Sequence, residues 1–207
     1  MSEPDDRANP RRPGSPRRSG SESSISGGTE HLTVILKFTN NSVFNTVISS
    51  PDNDIMYKVS TPNIYFNSVT TINRVDSASG EMTFAGEVGW KAWYPNTRIR
   101  IGWNCEWIRE GEWLELVKGW LSKTRGFRGA NGAKYRWKRR WTGFRLTGDV
   151  DDEDNKIPAL AIFQTAKYNA LLKITEPATL LISPEVLPSL DYIIVSLFIL
   201  ERRRRDE

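Results

Sequence analysis

The feature that most constrains this chain is the apolar run from Tyr192 to Leu200, closed by Glu201 and the four arginines Arg202 to Arg205. Ser189 stands where a helix N-cap belongs, Asp191 falls in the first turn and the arginines in the last, so the capping and dipole signals agree on a helix over 189–203. Pro188 would clash with helix on its N-terminal side, which makes Ser183 to Leu187 a separate turn. Leu190 to Leu200 reaches about 16 Å, roughly half of a bilayer's hydrocarbon core. Carrying the run back to Leu180 brings in Pro184, Glu185, Pro188 and Asp191, which an anchor would have to tolerate in lipid. The chain is therefore not expected to be an integral membrane protein. The run is nevertheless apolar around nearly its whole circumference, and such a helix has to be surrounded. A β-structure that encloses it would do so.

The preceding sequence has the texture of such a structure. From Leu32 onward, short runs rich in Val, Ile, Thr, Tyr, Phe and Trp alternate with turn-forming clusters. Leu32 to Phe38, Val43 to Ile48 and Ile55 to Val59 read as successive strands, split by Asn40-Asn41-Ser42 and by Ser50 to Asp54. Val69 to Val75 and Glu81 to Val88 flank a loop in which Gly80 is free to take positive φ, so they read as a hairpin. Arg98 to Ile101 and Lys134 to Lys138 alternate charged and apolar residues, which puts one face in solvent and the other in the core. Ile157 to Thr165 and Tyr168 to Ile174 also suit strands, although their alanines leave a helical reading open. Gly148 to Asn155 is acidic but lacks calcium-loop spacing, because its glycine precedes the acids and Pro158 follows them; it reads as an exposed turn.

Residues 1 to 30 are dominated by Ser, Arg, Gly and Pro and carry too little apolar surface to offset chain ordering, so a disordered tail is expected, followed by one domain over 31–207. The N-terminus lacks the basic start and apolar run of a secretory signal. One cysteine, Cys105, excludes an internal disulfide framework, and one histidine, His31, leaves no His/Cys cluster for zinc. No metal or cofactor is expected. These features fit a cytoplasmic protein, peripheral at membranes or nuclear.

The order GEVGW, RIRIGW, KYRWKRR and the terminal LLISPEVLPSLDYIIVSLFILERRRR resembles a fungal domain family of unknown function, number 6593, over about Leu32 to Arg205. That family is similar in turn to the tubby C-terminal and LURP-one-related, scramblase-like domains. The resemblance implies a mainly β fold: a closed antiparallel barrel of about a dozen strands around a central hydrophobic C-terminal helix. The shared motifs are structural, and the resemblance carries over no catalytic residues.

Chemistry concentrates in one window. All eight tryptophans lie between Trp90 and Trp141, and Lys91 to Arg145 holds fourteen Lys and Arg against four Glu. Lys134, Arg136 and Lys138 share a strand face, Arg139 or Arg140 joins them where the strand bends, and Lys123, Arg125 and Arg128 lie nearby among glycines. Such a patch suits anionic lipid headgroups, phosphoinositides above all, since tubby-like domains can bind them through surface Lys and Arg. The expected function is thus a non-enzymatic scaffold or adaptor with reversible contact to anionic membrane lipid, or to an unidentified protein. The alternative is single-stranded RNA, with bases stacked on aromatics. That alternative is the weaker one, because period two turns Tyr135 and Trp137 away from the basic face. Catalytic motifs are absent, and Cys105 is far in sequence from His31.

Overall fold

The computed structural model describes residues 31–40, 42, 44–62, 68–91, 97–117, 124–149, 157–169 and 174–207. The tail over 1–30, most of the acidic turn and Lys123 lie outside the described residues. In chain order the elements are β1 (Val34–Phe38), β2 (Thr46–Ser50), β3 (Ile55–Ser60), β4 (Val69–Val75), β5 (Met82–Gly89), β6 (Arg98–Ile101) and β7 (Ile108–Arg109). A single helical turn, α1 (Glu110–Trp113), leads to β8 (Glu115–Leu116), β9 (Arg125–Arg128), β10 (Lys134–Arg140) and β11 (Gly143–Gly148). Then come β12 (Ala161–Gln164), β13 (Lys167–Asn169), β14 (Ile174–Glu176), β15 (Thr179–Ile182) and the C-terminal helix α2 (Leu190–Asp206).

Thirteen strands form one antiparallel sheet in the order β7-β6-β5-β4-β3-β2-β1-β15-β12-β11-β10-β9-β8, and β13 and β14 pair separately. The first strand is thus locked against the last, Val34 opposite Ile182 and Leu36 opposite Leu180. Alternation drives the layering: Val34, Leu36 and Phe38 of β1 are buried while Ile35 and Lys37 between them are exposed. The same period buries Tyr135 and Trp137 of β10. The loop of Asp76 to Glu81 has Gly80 at φ +73°, as a tight hairpin there requires.

Nine consecutive residues of α2, Ile193 to Glu201, are buried. Successive helical positions point 100° apart, so burial of all nine means that protein lies on every side of the helix. Its side chains share one core with Leu36, Ile48, Tyr57, Ile72, Val88, Ile99, Leu146 and Phe163 from strands right across the sheet. The sheet therefore curls around the helix. The approach is tight at Gly86, where an added Cβ would stand 2.8 Å from Val195 Cγ2 and 3.0 Å from the Arg100 carbonyl. Gly86→Val should accordingly cost about 1–3 kcal/mol through overpacking, measured by urea denaturation.

Polar clips fix the helix inside the sheet. Trp137 Nε1 donates to Ser196 Oγ at 2.8 Å, and that hydroxyl donates to the Ile193 carbonyl at 2.8 Å. At the other end of the helix, the Tyr57 hydroxyl donates to Asp191 Oδ1 at 2.6 Å, and Arg74 Nη2 reaches the same oxygen at 2.9 Å. Burial pushes the Tyr57 phenol pKa up, Asp191 adds to the rise and Arg74 opposes it. At the C-terminal end, buried Glu201 takes Arg204 through two 2.7 Å contacts and Arg205 at 3.0 Å, and Glu110 of α1 pairs with Arg203. Burial raises the Glu110 carboxyl pKa against the attraction of Arg203 and Arg125. The arginine run is thus a packed plug, with Arg202 over the rings of Phe44 and Trp90.

Four expectations need correction. The barrel is not closed: the hydrogen-bonded order ends at β7 and β8, which are two residues long and linked by α1. Helical dihedrals there direct the Leu114 N–H to the Glu110 carbonyl at 2.7 Å instead of across the two edges. The helix runs to Asp206, beyond 203, because Glu201, Glu110 and Asp206 pair with its arginines. Ser189 makes no side-chain cap: a 3₁₀ turn over Pro184–Ser189 runs straight into the helix, and the Ser189 hydroxyl accepts from the Ala130 N–H at 3.2 Å. Tyr168 to Ile174 is not one strand, since the chain pairs back on itself from β13 to β14. No helix among the described residues is long and apolar enough to cross a membrane.

Candidate cleft on the outer face of β8 to β10

Cross-strand pairing sets Glu115 of β8 opposite Gly126 of β9, and Gly126 opposite Arg136 of β10. Partners in register share a face, so a carboxylate and a guanidinium flank a position with no side chain, two strand spacings or about 9.6 Å apart at the backbone. Val117 Cγ2 packs over Gly126, where a Cβ would meet it at 2.9 Å. The outcome is a cleft of about 450 Å³, within the range of small-ligand sites. Arg128, Lys134 and Arg136 line one side, Glu112 and Glu115 the other, with Trp113, Leu116 and Phe127 contributing apolar surface.

Asp149, the first residue after β11, stands between two of the cations. Arg136 reaches Asp149 Oδ1 through Nε at 2.9 Å and Nη2 at 2.7 Å, and Lys134 Nζ lies 3.3 Å from Oδ2. Desolvation works against ionisation of Asp149, but the hydrogen bonds and charges of Lys134 and Arg136 outweigh it and hold the carboxyl below the usual aspartate range. On the opposite side, Glu112 has Arg109 at 4.0 Å. Glu115 is exposed and has no ion pair among the described residues.

Of the eight cations singled out in the sequence, Lys123 lies outside the described residues and the other seven divide between the two faces of the sheet. Arg128, Lys134 and Arg136 meet in the cleft, and Arg128 also donates to the Gly132 carbonyl at 3.3 Å. Lys138 lies further along the same strand face, opposite Arg145, and period two puts Arg140 on that face too. Arg139 shares the parity of buried Trp137 and pairs with Glu207 at the end of α2. Arg125 shares the parity of buried Phe127, where desolvation and the nearby Arg203 lower its pKa. Alternation assigns each side chain its face, but which faces carry a carboxylate partner depends on Asp149, Glu110 and Glu207, all distant in sequence. Those three acids and Glu115 were missed for that reason.

The tryptophans divide likewise. Trp137 and Trp90 are buried and Trp113 packs on Phe127 and Tyr192. Trp103 is 73% exposed and Trp141, at the apex of the β10–β11 turn, is 100% exposed. Arg100 lies between the rings of Phe84 and Trp107, and Trp93 and Trp120 are outside the described residues. His31, just ahead of β1, donates from Nε2 to the Ala159 carbonyl at 2.6 Å, whereas exposed Cys105 follows β6, and β2 to β5 lie between β1 and β6 in the sheet. No three His, Cys, Asp or Glu side chains converge as a metal site among the described residues.

Fold and cleft together define a mainly β domain curled around its own C-terminal helix, with a mixed-charge cleft beside one sheet edge. Residues 41–206 match the model of a family of unknown function, DUF6593, and the chain belongs to that family. No curated protein and no solved structure is significantly similar to it.

Proposed function

We propose that this protein is a non-enzymatic adaptor, cytoplasmic and peripheral at membranes, that reversibly binds the phosphate of an anionic lipid headgroup in the cleft of β8 to β10. One observation carries the reading: Arg136 and Lys134 already hold an anion between them, the Asp149 carboxylate. A phosphate likewise offers several anionic oxygens to a guanidinium fork and an ammonium, and Arg and Lys recognise both groups. Arg128 stands opposite Lys134 on the neighbouring strand, ready to contact a third oxygen. Leu116, 43% exposed at the rim, adds apolar surface for the interface.

Asp149 then acts as an internal competitor. Asp149→Asn should tighten sedimentation with phosphoinositide-containing vesicles about threefold, because an exposed ion pair is weak, whereas simultaneous Arg128→Glu, Lys134→Glu and Arg136→Glu should weaken it by about tenfold or more at low salt with the melting temperature little changed. Equal failure of the natural protein to bind every vesicle would remove the lipid reading. A salt-dependent gel shift with single-stranded RNA and none with vesicles would install the nucleic-acid alternative.

A further inference from the structure

The phosphate reading uses only one side of the cleft. Glu115 projects from β8 on the same face as Arg136, with Gly126 and the Val117 methyl packed on it between them in the register, and Glu112 of α1 lines the same cleft. A ligand that carried phosphate alone would meet these two carboxylates as repulsion, since like charges across a small site are unfavourable. Their own pairing does not neutralise them: Arg109 approaches Glu112 only at 4.0 Å, with both side chains more than half exposed, and Glu115 has no ion pair among the described residues. The cations opposite are a strand pair away and already engaged by Asp149.

We infer that the cleft selects a ligand with a phosphate ester and an ammonium group joined by a short spacer, the chemistry of a phosphoserine or phosphoethanolamine headgroup. The phosphate displaces Asp149 from Arg136 and Lys134, and the ammonium lies within the same cleft toward Glu115 and Glu112. The two walls thus act as a selectivity device: the cations attract any phosphate, and the carboxylates penalise those without a positive group. The inference rests on the proposed phosphate site and adds the second half of its ligand.

The experiment compares vesicles carrying equal fractions of phosphatidylserine or phosphatidylglycerol, which have the same net charge although only the former carries an ammonium, balanced by a carboxylate, and adds soluble O-phosphoethanolamine, which has the ammonium without the carboxylate, by calorimetry. The natural protein should prefer phosphatidylserine by about tenfold, and Glu112→Gln with Glu115→Gln should reduce the preference below about twofold while phosphatidylglycerol binding rises. Equal binding to both vesicles by the natural protein overturns the ammonium inference and leaves the phosphate reading standing. Binding of O-phosphoethanolamine without any vesicle binding, abolished by the Glu variants, supports the ammonium inference and assigns the site to a free compound, against the lipid reading. No binding of any probe overturns both.

Discussion

Deleting residues 190–207 is expected to leave a chain with no cooperative thermal transition, its near-ultraviolet circular dichroism lost and its apolar surface open to dye. The expectation follows from where α2 sits. Ile193, Ile194, Val195, Leu197, Phe198 and Ile199 are all buried, and each contributes roughly 1.5–3 kcal/mol of transfer free energy. Their sum, even discounted for a compact unfolded state, equals or exceeds the whole net stability of an ordinary domain, about 5–15 kcal/mol. The loss would also uncover the inner face of the sheet, which has no second layer to replace the helix. Removing Glu207 alone should leave the transition intact, since it detaches the surface pair with Arg139 and the last N–H bond of the helix, to the Arg203 carbonyl. If the 190–207 deletion still melts cooperatively, the helix is not the centre of the core. The same experiment separates a structural helix from an anchor, because an anchor could be removed without unfolding the domain.

Trp137→Ala should destabilise the domain by about 3–5 kcal/mol, read from the shift in urea midpoint. Trp137 has no solvent exposure, is edge-on to Phe144 at 6.3 Å between centroids, and spends its one N–H on Ser196. Replacement by alanine leaves a large void and frees Ser196 of one partner, though the serine keeps its bond to the Ile193 carbonyl. Trp137→Phe retains most of the volume and should cost clearly less, with the remaining loss attributable to the missing donor. Equal costs for the two variants would show that packing around the indole contributes little. Neither substitution touches the outer-face cations, so headgroup binding at temperatures below the transition should persist in the phenylalanine variant.

Much of the fold was legible because alternation is a local property. Arg98 to Ile101 and Lys134 to Lys138 show the pattern plainly, and both are strands with the expected faces. β7 and β8 were missed because two residues cannot show a period, and β11 because Gly143-Phe144-Arg145-Leu146-Thr147-Gly148 buries more than its alternate positions. In the cleft, the residues of β10 and Arg128 could be read from their charge and strand parity. Asp149 looked like part of an exposed acidic turn, and only the pairing of β10 with β11 puts it beside Lys134 and Arg136.

The apolar run Tyr192 to Leu200 by itself determined that a helix would form and would have to be enclosed, since its length, its flanking charges and its all-round apolarity are all readable along the chain. Tertiary structure alone decided how the enclosure is made: the first strand against the last, a seam left at β7 and β8, and Arg203 of the helix paired with buried Glu110 of α1. It also decided that the basic strand would face carboxylates across a cleft. The physical reason is that periodicity specifies which way a side chain points, while charge pairing depends on which distant strand becomes its neighbour.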